Sequence, residues 1–218
     1  MDDAAWEPFS AGRLDVGGGH SLYFEQVGNP SGMPVVYLHG GPGSGCAPSA
    51  RRSFDSELHR GVLFDQRAAG RSTPHASEDG VDWTTIDMDH HVADIEQLRR
   101  HVRVERWAVF GLSWGSVLGA TYAERHPDRV SAVVLAAVST GTAADVEWLT
   151  VHAGRFFPQQ WQAFHDHVPE RLRGRRLVDA YQELLMDPDP GVREAAASAW
   201  CPPRFCAEKA ATSGRKSR

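Results

Sequence analysis

No run of about 18 consecutive apolar residues occurs anywhere in this 218-residue chain, which argues against a membrane-spanning helix. The opening stretch, Met1-Asp2-Asp3-Ala4-Ala5-Trp6, lacks the basic and apolar regions of a secretory signal. Cysteine is scarce: three residues, Cys46, Cys201 and Cys206, cannot make a disulfide framework and are read as reduced thiols. A cytoplasmic location is the expectation that follows. Cys201 and Cys206 have no second ligand pair nearby, so no zinc site is expected there. Neither sign of charge dominates, with 23 Lys plus Arg against 28 Asp plus Glu and a formal charge of −5. That balance is too mild to suggest a nucleic-acid or membrane partner. The length is sufficient for a good single-domain core.

What is present begins with short apolar runs of strand character: Gly12 to Val16, Ser21 to Val27, Val35 to Leu38, Gly61 to Phe64, Trp107 to Phe110 and Ala132 to Val138. Helical stretches run from about Met88 to His101, with Asp87 as its N-cap, and from about Ser116 to His126. Such alternation predicts an α/β fold: a mostly parallel sheet with helices on both faces, occupying residues 1–140.

From Ala143 the character changes. Amphipathic stretches at Ala143 to Phe156, Pro158 to His167, Arg173 to Met186 and Pro190 to Trp200 predict a helical region over 141–200, without repeats or low-complexity tracts. Pro190 suits the first turn of the last helix. Residues 201–218 carry no apolar periodicity and read as an unpatterned tail. Adjacent His90 and His91 diverge on a helix and cannot share a metal, so they are read as surface residues. His165 and His167 likewise do not share a helical face. The four arginines between Arg171 and Arg176 read as a solvated joint between helices. Trp148, Trp161 and Trp200 read as packing residues of the helical region, with Trp148 also a candidate substrate contact.

The chemistry-bearing feature is Gly111-Leu112-Ser113-Trp114-Gly115, lying between a strand and a helix. Flanking glycines allow a turn sharp enough to hold Ser113 in a strained conformation with its hydroxyl exposed, as a nucleophile for acyl transfer. The competing reading is an ordinary strand-to-helix turn in which the serine caps the helix. Upstream, His39-Gly40-Gly41-Pro42-Gly43 follows another strand, and its glycines leave amides free to face an oxyanion. Gly41 and Trp114 are the candidate oxyanion N–H donors, with Gly40 the alternative first donor.

These pieces, with Leu14-Asp15-Val16, Gly28-Asn29-Pro30, Asp65-Gln66-Arg67, Gly70-Arg71-Ser72, Arg125 to Val130, Glu147-Trp148 and Phe156-Phe157-Pro158, resemble the proline iminopeptidases. Those are serine peptidases of the α/β-hydrolase fold, and the resemblance runs from about residue 6 to Trp200. It implies release of N-terminal proline from peptides without metal or cofactor, with a helical cap over the serine that selects free N-termini. His39, Gly40 and Trp148 are the implied substrate contacts. The chain departs from the family at Ala68-Ala69, where a glycine follows Asp-Gln-Arg; a positive φ there would strain alanine. Leu112 replaces a glycine before the serine.

The orienting acid and the histidine base of a triad are not identifiable. They should follow Ser113 in the order acid, then histidine. Yet His126 closely follows the elbow's own helix, His152, His165 and His167 lie in the helical region, and no histidine follows His167. Where the family continues with Trp-Glu after Trp200, this chain reads Cys201-Pro202-Pro203, the pattern of a shifted frame or premature end. The expectation is therefore a fold short of its last core strands and a chain of impaired activity. A general esterase or amidase and a non-catalytic remnant are the alternatives; oligomeric state is left open.

Overall fold

The computed structural model describes residues 6–200, which divide into two compact units, one up to Thr140 and one from Gly141. Cys201, Cys206 and the reading of the tail fall outside the described residues.

The first unit is built on six strands: β1 (Ser10–Gly17), β2 (His20–Gly28), β3 (Met33–Leu38), β4 (His59–Phe64), β5 (Trp107–Leu112) and β6 (Val130–Ala136). Their order is β1-β2-β4-β3-β5-β6, with β1, β2 and β4 antiparallel neighbours and β4, β3, β5 and β6 running parallel. The parallel strands β3, β4 and β5 are largely buried on both faces, so their sequences read as continuous apolar runs. Val36, Leu38, Val62, Phe64 and Val109 enter one core cluster, while Val35, Tyr37, Leu63 and Ala108 enter another. The first cluster is covered by α1 (Met88–His101), through Val92, Ile95 and Leu98, and by α2 (Trp114–Arg125), through Leu118 and Tyr122. The second is covered by a 3₁₀ helix at Pro48–Ser53, through Ala50, together with Phe54. Val133 and Val134 of the edge strand β6 are 43% and 50% exposed.

Local chemistry explains the element boundaries. Asp87 caps α1 by accepting a hydrogen bond from the His90 amide at 2.8 Å. Within α1, Glu96 accepts from Arg99 at 2.8 Å and from the Tyr122 hydroxyl at 2.6 Å, and the Trp107 indole donates to Tyr122 at 3.3 Å. The Arg99 hydrogen bond, the largest influence, holds the Glu96 carboxyl down at about 2. The pairing of His90 and His91 as surface residues needs correction: His91 is buried, only 7% exposed. Adjacent residues on a helix point in different directions, and His91 takes the inward one. Burial first, then the charge of Arg67, pushes its pKa down to about 4 and keeps the ring neutral.

The second unit contains α3 (Ala143–Thr150), α4 (Pro158–Asp166), α5 (Leu177–Leu185) and α6 (Pro190–Trp200). Its core is Val168, Leu172, Ala180, Tyr181, Leu184 and Ala196. Phe164 stacks on Tyr181 with ring centroids 4.4 Å apart, and Trp200 meets both rings edge-on. The helix expected through Phe156 stops at Thr150 and resumes as a 3₁₀ turn at His152–Arg155. The reason is Trp161, whose indole donates to the Thr150 carbonyl at 2.7 Å and lies so close to Gly154 that a Cβ there would sit 2.6 Å from the ring. Among the described residues no helix is long and apolar enough to cross a membrane.

Candidate active site

Ser113 stands at the junction of β5 and α2 with φ 55° and ψ −119°, a conformation that a side-chain-bearing residue adopts only under constraint. The constraint comes from both sides. The Ser113 amide donates to the Ala136 carbonyl at 2.9 Å, and its carbonyl accepts from the Ser116 amide at 2.7 Å and the Ser116 hydroxyl at 2.6 Å. Ser116 also accepts from the Ser139 amide at 3.0 Å, tying the elbow to the segment after β6. The flanking glycines are required by contact. A Cβ on Gly111 would lie 2.2 Å from the Gly115 carbonyl oxygen, and one on Gly115 would lie 2.0 Å from the Leu38 carbonyl oxygen. Ser113 makes no side-chain capping bond to α2, which removes the capping-serine reading.

The loop after β3 passes directly against this elbow. A Cβ on Gly40 would sit 3.1 Å from both the Leu112 carbonyl oxygen and Ser113 Cβ, a tight contact that would press the two segments apart by a few tenths of an ångström. Gly41, with φ +116°, turns the chain away. Among the described residues the amides of Gly41 and Trp114 donate to no acceptor; Trp114 directly follows the serine, and Gly41 follows Gly40, which packs against it. His39 is buried and its ring is committed elsewhere: Nε2 accepts from the Gln66 amide at 3.0 Å and Nδ1 donates to the Gly40 carbonyl at 2.9 Å. These partners require the neutral Nδ1–H tautomer. His39 is thus a loop-holding residue and not a base for Ser113. Among the described residues of this unit no side chain is found hydrogen-bonded to Ser113 Oγ. Trp148 belongs to the second unit, where it is 51% exposed and 6.4 Å from the Phe156 ring.

Sequence reasoning treated Asp65-Gln66-Arg67 only as a family marker; each of the three has a distinct task. Asp65 accepts from the amides of Cys46 at 2.6 Å and Arg71 at 2.8 Å, and from the Arg71 guanidinium at 2.8 Å. Burial opposes its charge, but these donors together outweigh burial and hold its pKa below the usual carboxylate range. Arg67 makes a two-pronged pair with Asp94 at 2.6 and 2.8 Å, both side chains being nearly inaccessible. Gln66 reaches the elbow: its Oε1 accepts from the Trp114 indole at 3.2 Å. Beyond the motif, Ala68 has φ 57°, the strained backbone expected from its departure.

A strand-elbow-helix with its serine at positive φ, on a sheet of this order, defines a class. A family model described as alpha/beta hydrolase fold matches residues 33–198, and the chain belongs to that family. Among curated proteins the chain is 50% identical over 194 residues to a probable proline iminopeptidase of Streptomyces coelicolor, covering 89% of this chain and 60% of the relative. It is 47% identical to the proline iminopeptidase of Arabidopsis thaliana and 42% identical to that of Neisseria gonorrhoeae, again over 89% of this chain but 50% and 61% of theirs. The chain therefore spans between half and about three fifths of the length of these relatives. Among solved structures, the proline iminopeptidase of Mycobacterium smegmatis superimposes with a TM-score of 0.57 at 20% identity, covering 90% of this chain and 69% of that one. That likeness speaks for the fold.

Proposed function

We propose that this chain carries the nucleophile and oxyanion cradle of a serine aminopeptidase that releases N-terminal proline from peptides. The observation that carries the reading is Ser113, held at φ 55° between Gly111 and Gly115 with the Gly40 loop packed against it; Gly41 and Trp114 are the proposed donors. In the reaction Ser113 Oγ attacks the carbonyl of the N-terminal residue, and the two amides stabilise the oxyanion. Each such donor is worth roughly 10²–10³ in rate. The identity of 42–50% to proline iminopeptidases favours an N-terminal proline as substrate. No metal or cofactor enters this scheme. A cytoplasmic location accords with the free, buried thiol of Cys46.

Deprotonation of Ser113 is the step for which the described residues of the first unit offer no hydrogen-bonded partner. The 218-residue chain is expected to turn over a chromogenic proline anilide about 10⁴–10⁶-fold more slowly than an enzyme with a complete triad. That same observation favours a second reading, a non-catalytic chain. Assay of the purified chain beside Ser113→Ala separates the two. Slow release that disappears in the variant supports the peptidase; release equal in both would refute Ser113 as the nucleophile. Faster cleavage of simple esters than of proline anilide would move the assignment to a general esterase.

A further inference from the structure

The two segments of the oxyanion cradle come from separate parts of the sheet, the loop after β3 and the start of α2. One buried side chain joins them. Gln66, 1% exposed, donates from Nε2 to the His39 carbonyl at 3.0 Å and accepts at Oε1 from the Trp114 indole at 3.2 Å. Its own amide donates to His39 Nε2 at 3.0 Å, and His39 in turn donates to the Gly40 carbonyl at 2.9 Å. The orientation of the Gln66 amide group is forced, because an indole N–H can only donate and a carbonyl can only accept. A side chain with a donor and an acceptor on one rigid plane is therefore needed. Glutamate lacks the donor and methionine lacks both, while asparagine is one methylene shorter.

We propose that Gln66 is a positioning residue for the oxyanion cradle, locking the Trp114 indole to the His39–Gly41 loop and so fixing the separation of the two donor amides. The inference rests on the reading of Ser113 as nucleophile and on Gly41 and Trp114 as donors. Gln66 touches no reacting atom; it acts through the first residue of α2 and the last carbonyl before Gly40. Errors below an ångström in such donors are costly, because the stabilisation depends on their being fixed before the charge develops.

The test uses the 218-residue chain with two readouts. The first is the indole ¹⁵N–¹H resonance of Trp114, identified by its loss in Trp114→Phe. Gln66→Met moves it upfield and speeds its solvent exchange, whereas Gln66→Glu, which keeps an acceptor, moves it downfield. The second is Ser113-dependent acylation by p-nitrophenyl acetate. Gln66→Met lowers the acylation rate about 10-fold, a fraction of what losing a whole donor costs. Gln66→Glu restores part of the loss, and Gln66→Met combined with Trp114→Phe falls no further than either alone. Unchanged indole resonance in Gln66→Met, or additive effects in the double variant, would overturn the proposal. Absence of Ser113-dependent acylation in the parent chain would overturn the nucleophile reading instead, while the indole resonance still decides whether Gln66 holds Trp114. Far-UV circular dichroism of each variant separates misfolding from mispositioning, and Gln66→Asn, which keeps donor and acceptor one methylene shorter and buries no charge, keeps the test open if Gln66→Met fails to fold.

Discussion

The unit up to Thr140 buries charge, and the unit from Gly141 keeps charge outside. In the first, Arg67 and Asp94 face each other with side chains 3% and 1% exposed, and Glu96 with Arg99 is 7% exposed on each side. In the second, Arg171 and Arg175 both reach Glu183, whose side chain is 41% exposed. Apolar exposure runs in the same direction, although Leu58 and Val138 of the first unit are 64% and 62% exposed. Leu149, Phe156, Phe157 and Met186 of the second unit are all more than half exposed, whereas Trp107 and Phe64 of the first are almost wholly buried. The difference reflects what each unit must hold. A catalytic elbow needs loops fixed by directional bonds, and buried ion pairs and amides supply direction where apolar packing alone supplies cohesion. Short helices around one aromatic stack need only cohesion, and their charges serve solvation.

The strongest way to break this comparison is at the closest approach in the first unit. Gly115→Ala would place a Cβ where the Leu38 and His39 carbonyl oxygens lie 2.0 and 2.9 Å away. Both oxygens belong to backbone, so α2 itself must move. The expected loss exceeds about 4 kcal/mol, an exceptional value for one methyl group. The urea midpoint measures it, and a variant within about 1 kcal/mol of the parent would mean that the elbow tolerates slack.

Much of the first unit could be read from the chain because its signals are local. Asp87 followed by a proline-free amphipathic run marked Met88–His101 to the residue, since capping chemistry depends only on near neighbours. The elbow and the strain at Ala68 were legible for the same reason, being backbone demands written in glycine and its replacement. What escaped was set at a distance. His91 turns inward toward a charged cluster that includes Arg67, 24 residues earlier in sequence, and Gln66 finds Trp114 at a separation of 48 residues. A polar residue between an aspartate and an arginine carries no periodicity that could point to such a partner. The second unit misled in another way. Apolar spacing continues across the break at Val151, where Trp161 and not the local pattern ends α3, and Gly174, with φ +86°, precedes a helix that starts only at Leu177.

The buried pair gives the next largest effect. Asp94→Ala leaves the Arg67 guanidinium buried, with carbonyl contacts to Val16 at 3.2 Å and Thr85 at 3.4 Å but no counter-charge. Breaking one side of a buried pair costs about 3–5 kcal/mol, most of it the penalty of the charge left behind. Chemical denaturation of the variant reads this directly. A loss below about 1 kcal/mol would mean that water reaches Arg67 and that the first unit is not using buried charge for direction.

The matching substitution in the second unit is Glu183→Gln, which discharges the partner of both Arg171 and Arg175. All three side chains are at least 41% exposed, so water already solvates each charge and loses little when the pair is removed. The amide oxygen of glutamine can still accept from one arginine. The midpoint of thermal unfolding should therefore stay within the scatter of replicate scans, and raising the salt concentration should change parent and variant alike, since screening acts on a contribution that is already small. A clear drop in Glu183→Gln, removed by salt, would show that the arginine cluster repels itself strongly enough to need neutralising. The second unit would then depend on charge as the first does, by placing it at the surface where the first encloses it.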